Sequence, residues 1–105
     1  MIFEELITKV RDAASRIDAS DHGFLAVQVN ISGENGGTFY VEVKDGRINV
    51  EPYEYNDRNC AVTIGMDDFI KLIEGKLDPI KAFTFRKLKV DGDLGKALEF
   101  ANLLK

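Results

Sequence analysis

Hydrophobic positions at Phe3, Leu6, Ile7, Val10, Ala13, Ala14 and Ile17 recur at i, i+3, i+4 and i+7. That spacing lays one apolar stripe along an amphipathic helix. Glu5/Lys9 and Asp12/Arg16 support it as i, i+4 pairs in the favourable order, and Asp21-His22-Gly23 is expected to end it. The period then drops from 3.6 to 2. Leu25, Val27, Val29 and Ile31 alternate with Ala26, Gln28 and Asn30. Phe39, Val41 and Val43 alternate with Tyr40 and Glu42, and Ile48 and Val50 with Arg47, Asn49 and Glu51. Each run predicts a strand with one dry face and one wetter face. Asp45-Gly46 between the second and third strands suits a type I′ turn, which needs positive φ at both central residues. Pro52 closes the third strand. Tyr53 to Asn59 forms a polar connection, and Cys60 to Ile64 a fourth, shorter strand.

Helical spacing returns at Met66, Phe69, Ile70 and Ile73, with Leu72 off the stripe. Asp67 and Asp68 occupy the first turn, where the helix dipole favours acids, and Gly75 is a C-cap candidate. Asp78-Pro79 can open a further short helix carrying Ile80, Ala82 and Phe83. Leu88 and Val90 alternate within a fifth strand, and Asp93 can N-cap a last helix from about Leu94 to Leu104. The main order is α-β-β-β-β-α-β-α. It predicts an α+β two-layer sandwich: a five-stranded, mostly antiparallel mixed sheet with helices on one face and solvent on the other. The fourth and fifth strands flank a helical crossover and are the candidates for a parallel pair.

At 105 residues the chain is expected to form a single domain, residues 1–105. Its 45% hydrophobic and 30% charged residues describe an ordinary globular protein. No apolar run approaches a membrane span, no signal peptide is evident, and a lone Cys60 excludes an internal disulfide, so a cytoplasmic setting is expected. The net charge of −4 argues against a nucleic-acid partner. Charge is unevenly placed, however. Residues 1–70 sum to −7 and residues 71–105 to +3. The plain reading is a set of solvated faces; the sharper one is a basic end that makes transient contact with an acidic membrane surface or partner.

Residues that carry common chemistries are missing. The single histidine, His22, sits in a helix-ending turn, and Cys60 has no CxxC partner. Metal-ligand spacing is absent. Gly33, Gly36 and Gly37 lie between two strands, whereas a phosphate-binding loop feeds a helix N-terminus. No catalytic residue, metal or cofactor is nominated, and an enzyme is the least supported reading.

The last helix is unusually apolar. Leu94, Ala97, Leu98, Phe100, Ala101, Leu103 and Leu104 exceed the three or four apolar positions per two turns that one packed face uses. Phe83 and Phe85 lie nearby in sequence. Two arrangements absorb this excess. The helices can pack on each other as well as on the sheet, which the residue pattern alone favours. Alternatively, they roof an apolar pocket. An empty pocket of ~300 Å³ costs about 7 kcal/mol at ~24 cal/mol per Å³. That is a large part of a domain's roughly 5–15 kcal/mol stability. Such a cavity is expected to be filled or partly collapsed.

The run Phe69-Ile-Lys-Leu-Ile-Glu-Gly75, followed by Lys76-Leu-Asp-Pro79, Ala82-Phe83 and Lys87-Leu-Lys-Val-Asp-Gly-Asp93, resembles the sterol carrier protein type two domain family. Phe39 to Val50 and Asp57 to Ile64 look like that family's second to fourth strands. The resemblance covers about residues 23–104 and is most specific over residues 75–93. It implies a hydrophobic tunnel between sheet and helices that takes fatty acyl chains, sterols or similar lipids, with no catalysis by the domain itself. It tips the balance from plain core to pocket. By position, the tunnel lining falls on Phe69, Ile70 and Ile73, then on Phe83, Leu88 and Val90, then on Leu98, Phe100, Ala101 and Leu104. Arg86 stands where the family usually has a small residue, often Gly, before the Lys-Leu-Lys run. It is either a possible headgroup contact at the tunnel mouth or a surface arginine laying its stem over Phe85.

The function expected from the sequence is therefore lipid, sterol or fatty-acyl binding. The alternative is a ligand-free interaction or dimerisation module that uses the apolar last helix. Monomer and dimer both remain open, and the terminal Leu103-Leu104-Lys105 does not match a peroxisomal signal.

Overall fold

A computed structural model describes residues 1–104. The order is α1 (Phe3–Ser15), β1 (Leu25–Ser32), β2 (Gly37–Lys44), β3 (Arg47–Glu51), β4 (Cys60–Gly65), α2 (Met66–Ile73), α3 (Pro79–Thr84), β5 (Leu88–Gly92) and α4 (Leu94–Leu104). The strands form one five-stranded sheet in the order β3-β2-β1-β4-β5. Register is set by the apolar alternation. Val29 pairs across to Phe39 on one side and Val62 on the other, Val41 to Val50, and Ile64 to Leu88. A one-residue slip would turn every one of these side chains to the other face. The resulting dry face joins Leu6, Val10, Phe69, Leu72, Ala82, Phe100 and Leu104 from all four helices in one core. Phe39 is central to it, edge-on to Phe69 with ring centroids 5.8 Å apart and tilted against Phe3 at 6.1 Å.

The Asp45-Gly46 turn has φ of 53° and 76°, the type I′ geometry expected from the sequence. Three expectations need correction. First, the parallel pair is β1 with β4, while β4 and β5 run antiparallel. The two helices between β4 and β5 together return the chain to the end of the sheet it left, so Leu88 starts β5 opposite Ile64. Second, the outer face of the sheet is not simply solvated. To reach β4, residues 52–59 must cross three strand spacings of about 4.8 Å each, and they do so over that face. The Tyr55 hydroxyl donates to Glu42 at 2.7 Å, its ring lies edge-on to Tyr40, and its backbone N–H donates to Gln28 at 3.2 Å. Gln28, Ala26 and Ala61 are thereby buried. Third, α1 ends at Ser15, earlier than Asp21. The N–H groups of Arg16 and Ile17 tighten to i−3 carbonyls, and Ile17 reaches the core from that turn. Lys9 pairs with Glu74 of the α2–α3 connection rather than with Glu5, whose carboxylate accepts from the Ile2 N–H instead.

Candidate lipid-binding site

The helices α2 and α3 end in the same hydrogen-bonded device. After α2, the Gly75 N–H bonds the Leu72 carbonyl at 3.2 Å and the Lys76 N–H bonds that of Lys71 at 2.8 Å. After α3, the Arg86 N–H bonds the Phe83 carbonyl at 3.1 Å and the Lys87 N–H bonds that of Ala82 at 2.8 Å. Both are Schellman motifs, whose C′ residue must adopt a left-handed backbone. Gly75 does so at φ 76° without penalty, whereas Arg86 sits at φ 62°. A side chain in that region costs about 1 kcal/mol. The small residue expected from the family resemblance at position 86 thus has a backbone reason, and the arginine here is held against strain.

Between α3 and β5 lies an open cleft of about 590 Å³, lined by Phe83, Thr84, Arg86, Leu88, Lys89 and Val90. Its position follows from local sequence. Asp78 caps α3 by accepting from the Ile80 N–H at 2.8 Å, and Pro79 fixes the first turn. Ala82 then faces the core, and Phe83 is left 40% exposed at the cleft. Alternation in β5 turns Leu88 and Val90 toward the helix layer and leaves Lys89 exposed. Further exposed apolar side chains on α3 and just beyond it are Ile80 at 64% and Phe85 at 69%. Two other clefts are more polar in character. The one between α1 and β3, about 540 Å³, is lined by Arg11, which donates to the Val50 carbonyl and faces Glu51. The other, about 660 Å³, is lined largely by residues of two turns, 20–24 and 44–47.

Among the residues expected to line a tunnel, four gather at or beside the cleft: Phe83, Arg86, Leu88 and Val90. Others lie deeper. Phe69, Ile73, Phe100, Ala101 and Leu104 are buried in the common core, and Ile70 packs against it. Leu98 is half-buried and lies one turn from Leu94, which is exposed. The wide stripe of α4 is thus largely absorbed by the core, through Ala97, Phe100, Ala101 and Leu104 at i, i+3, i+4 and i+7. The sequence reading missed Leu72, which is buried while Ile70 is only half so. It also missed Lys89, which alternation alone marks as solvent-facing. Nothing in the spacing says that this face borders a cleft.

No helix among the described residues is long and apolar enough to cross a membrane, and no three His, Cys, Asp or Glu side chains among them gather to hold a metal. Burial pushes the Cys60 thiol up to about 11, which keeps it protonated and unreactive. The Tyr55 hydroxyl is raised to about 12, first by its hydrogen bond to Glu42 and then by burial.

Comparison with known proteins agrees with this architecture. The chain is 31% identical to human sterol carrier protein 2 over 104 residues, 98% of this chain but 19% of that protein. It is 36% identical to mouse hydroxysteroid dehydrogenase-like protein 2 over 78 residues, 73% of this chain and 16% of the relative. The chain thus spans about a fifth of the length of the curated relatives it matches. Among solved structures, the sec-alkylsulfatase Pisa1 from Pseudomonas sp. superposes with a TM-score of 0.82 at 19% identity, covering 95% of this chain and 16% of the enzyme. Palmitated SCP2L2 from Aedes aegypti gives 0.74 at 18% identity, covering 99% and 95%. Apo sterol carrier protein 2 from Yarrowia lipolytica gives 0.70 at 21%, covering 95% and 87%. The model of one family, described as the SCP-2 sterol transfer family, matches residues 3–105. With its mixed sheet, one-sided helical layer and α3–β5 corner, this chain belongs to that family.

Proposed function

We propose that the protein binds a lipid, carrying its acyl chain or other apolar body between the sheet and the helices, and does no chemistry on it. The observation that supports this most directly is the α3–β5 cleft. Its lining is exposed Phe83 above buried Leu88 and half-buried Val90, and its size lies within the roughly 300–1,000 Å³ of small-molecule sites. Family membership and the name of the human relative point the same way. The cleft serves as the mouth. Beyond it, Ile73, Phe100, Ala101 and Leu104 form the deeper lining once the helices part from the sheet. In the unliganded protein these residues close on the core, because ~300 Å³ of empty apolar space would cost about 7 kcal/mol. Each methylene of an entering chain that becomes buried contributes ~0.8 kcal/mol toward opening it. The +3 charge of residues 71–105, which hold the mouth, favours transient contact with an acidic membrane surface during exchange.

Titration with a fluorescent fatty acid tests this reading. Saturable binding at micromolar concentration or tighter is expected. Phe83→Asp, at a 40% exposed position, should weaken it at least tenfold. A protein that binds neither the probe nor a co-purifying lipid, read by native mass spectrometry, would overturn the proposal.

A further inference from the structure

Arg86 is a cationic side chain on a backbone that glycine would occupy without strain, and it borders an apolar cleft. The α2 terminus shows the alternative within the same chain, since an identical hydrogen-bond pattern there is closed by Gly75. The Arg86 guanidinium is exposed, and among the described residues no carboxylate lies within ion-pair distance of it. Arg11, Arg16 and Arg58 each hold a protein partner, the Val50 carbonyl, Asp12 and the Tyr55 carbonyl, whereas Arg47, which lines the two more polar clefts, shares with Arg86 the lack of an ion pair among the described residues. Around Arg86 the cleft offers a second cation, Lys89, the hydroxyl-bearing Thr84, and the apolar surfaces of Phe83, Leu88 and Val90. The nearest acids along the chain are Asp91 near the end of β5, Asp93, which accepts from the Lys96 N–H at the start of α4, and Asp78, which is engaged in capping the far end of α3.

We propose that Arg86 anchors the headgroup of the bound lipid, so that the ligand is a long-chain amphiphile ending in an oxyanion, a carboxylate or a phosphate monoester. The proposal rests on the lipid-binding reading above and narrows its ligand class. A planar guanidinium offers a fork of parallel N–H donors that matches two oxygens of such a group. Lys89, whose side chain leaves β5 on the side opposite Leu88 and Val90, adds positive charge at the edge of the cleft. The chain of the amphiphile then lies over Phe83, Leu88 and Val90, and its charged end stays at the water boundary, where no ion has to be buried. A sterol or fatty alcohol, lacking the oxyanion, gains nothing from Arg86.

Backbone strain lets one substitution separate the roles. In Arg86→Gly, stability and anion affinity should move in opposite directions. The experiment measures binding of palmitate, hexadecyl phosphate and hexadecanol to the unaltered protein, Arg86→Gly and Arg86→Lys, alongside thermal unfolding. Arg86→Gly is expected to raise Tm by about 4 °C. It should weaken palmitate or hexadecyl phosphate, or both, about tenfold and leave hexadecanol unchanged. Whichever anion loses more identifies the headgroup. Arg86→Lys keeps the charge but not the fork, and should show a smaller loss of anion affinity with no gain in Tm. Unchanged binding of both anions by Arg86→Gly, or an equal loss for hexadecanol, would overturn the anchor while leaving the carrier reading intact. If the unaltered protein binds none of the three amphiphiles, both fail together.

Discussion

The ends of α2 and α3 are built from the same pair of backbone hydrogen bonds, yet the residues on them have different work. α2 is a structural helix. Phe69 and Leu72 are buried, and its termination at Gly75 is free of strain. α3 buries Pro79 and Ala82 and presents Ile80, Phe83 and Thr84 to solvent. Its termination places Arg86 in a conformation that disfavours side chains. One helix end shows what the fold requires, and the other shows what it tolerates beside a cleft. The shared hydrogen-bond pattern separates the two influences, because a difference in stability between the ends then comes largely from the side chains.

The largest contrast is expected from truncating the two phenylalanines. Phe69→Ala should lower unfolding free energy by about 3–5 kcal/mol, as removal of a fully buried ring does. Phe83→Ala, at a 40% exposed position, should stay within about 1 kcal/mol. Chemical denaturation of the two variants measures both; equal losses would mean that Phe83 is a core residue and would remove the mouth. Next in size is Gly75→Arg, which gives α2 the strained end of α3. It should cost about 1–2 kcal/mol in the same assay. If Gly75→Arg is neutral, the left-handed position carries no penalty here, and Arg86 is not strained either. The smallest effect concerns the outer face and leaves both helix ends untouched. Tyr55 has a raised pKa in the folded protein, so above about pH 10 the unfolded chain releases this proton first. Stability is therefore lost as pH rises from about 10 toward 12, and denaturation profiles of Tyr55→Phe should show a shallower decline across that window.

Much of the architecture was legible in the chain because it depends on local periodicity. The switch from period 3.6 to period 2 located α1, the first three strands and α2, and Asp45-Gly46 placed a turn whose φ values are both positive. Gly75 and Asp93 marked helix ends for the same local reason, and Asp93 accepts from the Lys96 N–H at 3.0 Å. The candidate site was legible only in part. Phe83, Leu88 and Val90 were placed together through family resemblance, and the structure does bring them to one cleft. Periodicity alone could not tell Leu72 from Ile70, since both are large and aliphatic and the helix azimuth is set by the neighbours it meets.

The amino-acid order by itself determined the elements, their dry faces and the caps, because these follow from dihedral preferences and spacing within a few residues. Tertiary structure decided the rest. The parallel pairing of β1 with β4, the strap of residues 52–59 over the outer face and the cleft between α3 and β5 all join segments distant in sequence. Such contacts depend on which surfaces are left after the core is filled. Position 86 shows both levels at once. The residue type is written in the chain, but its left-handed backbone exists only because α3 must end there and turn into β5.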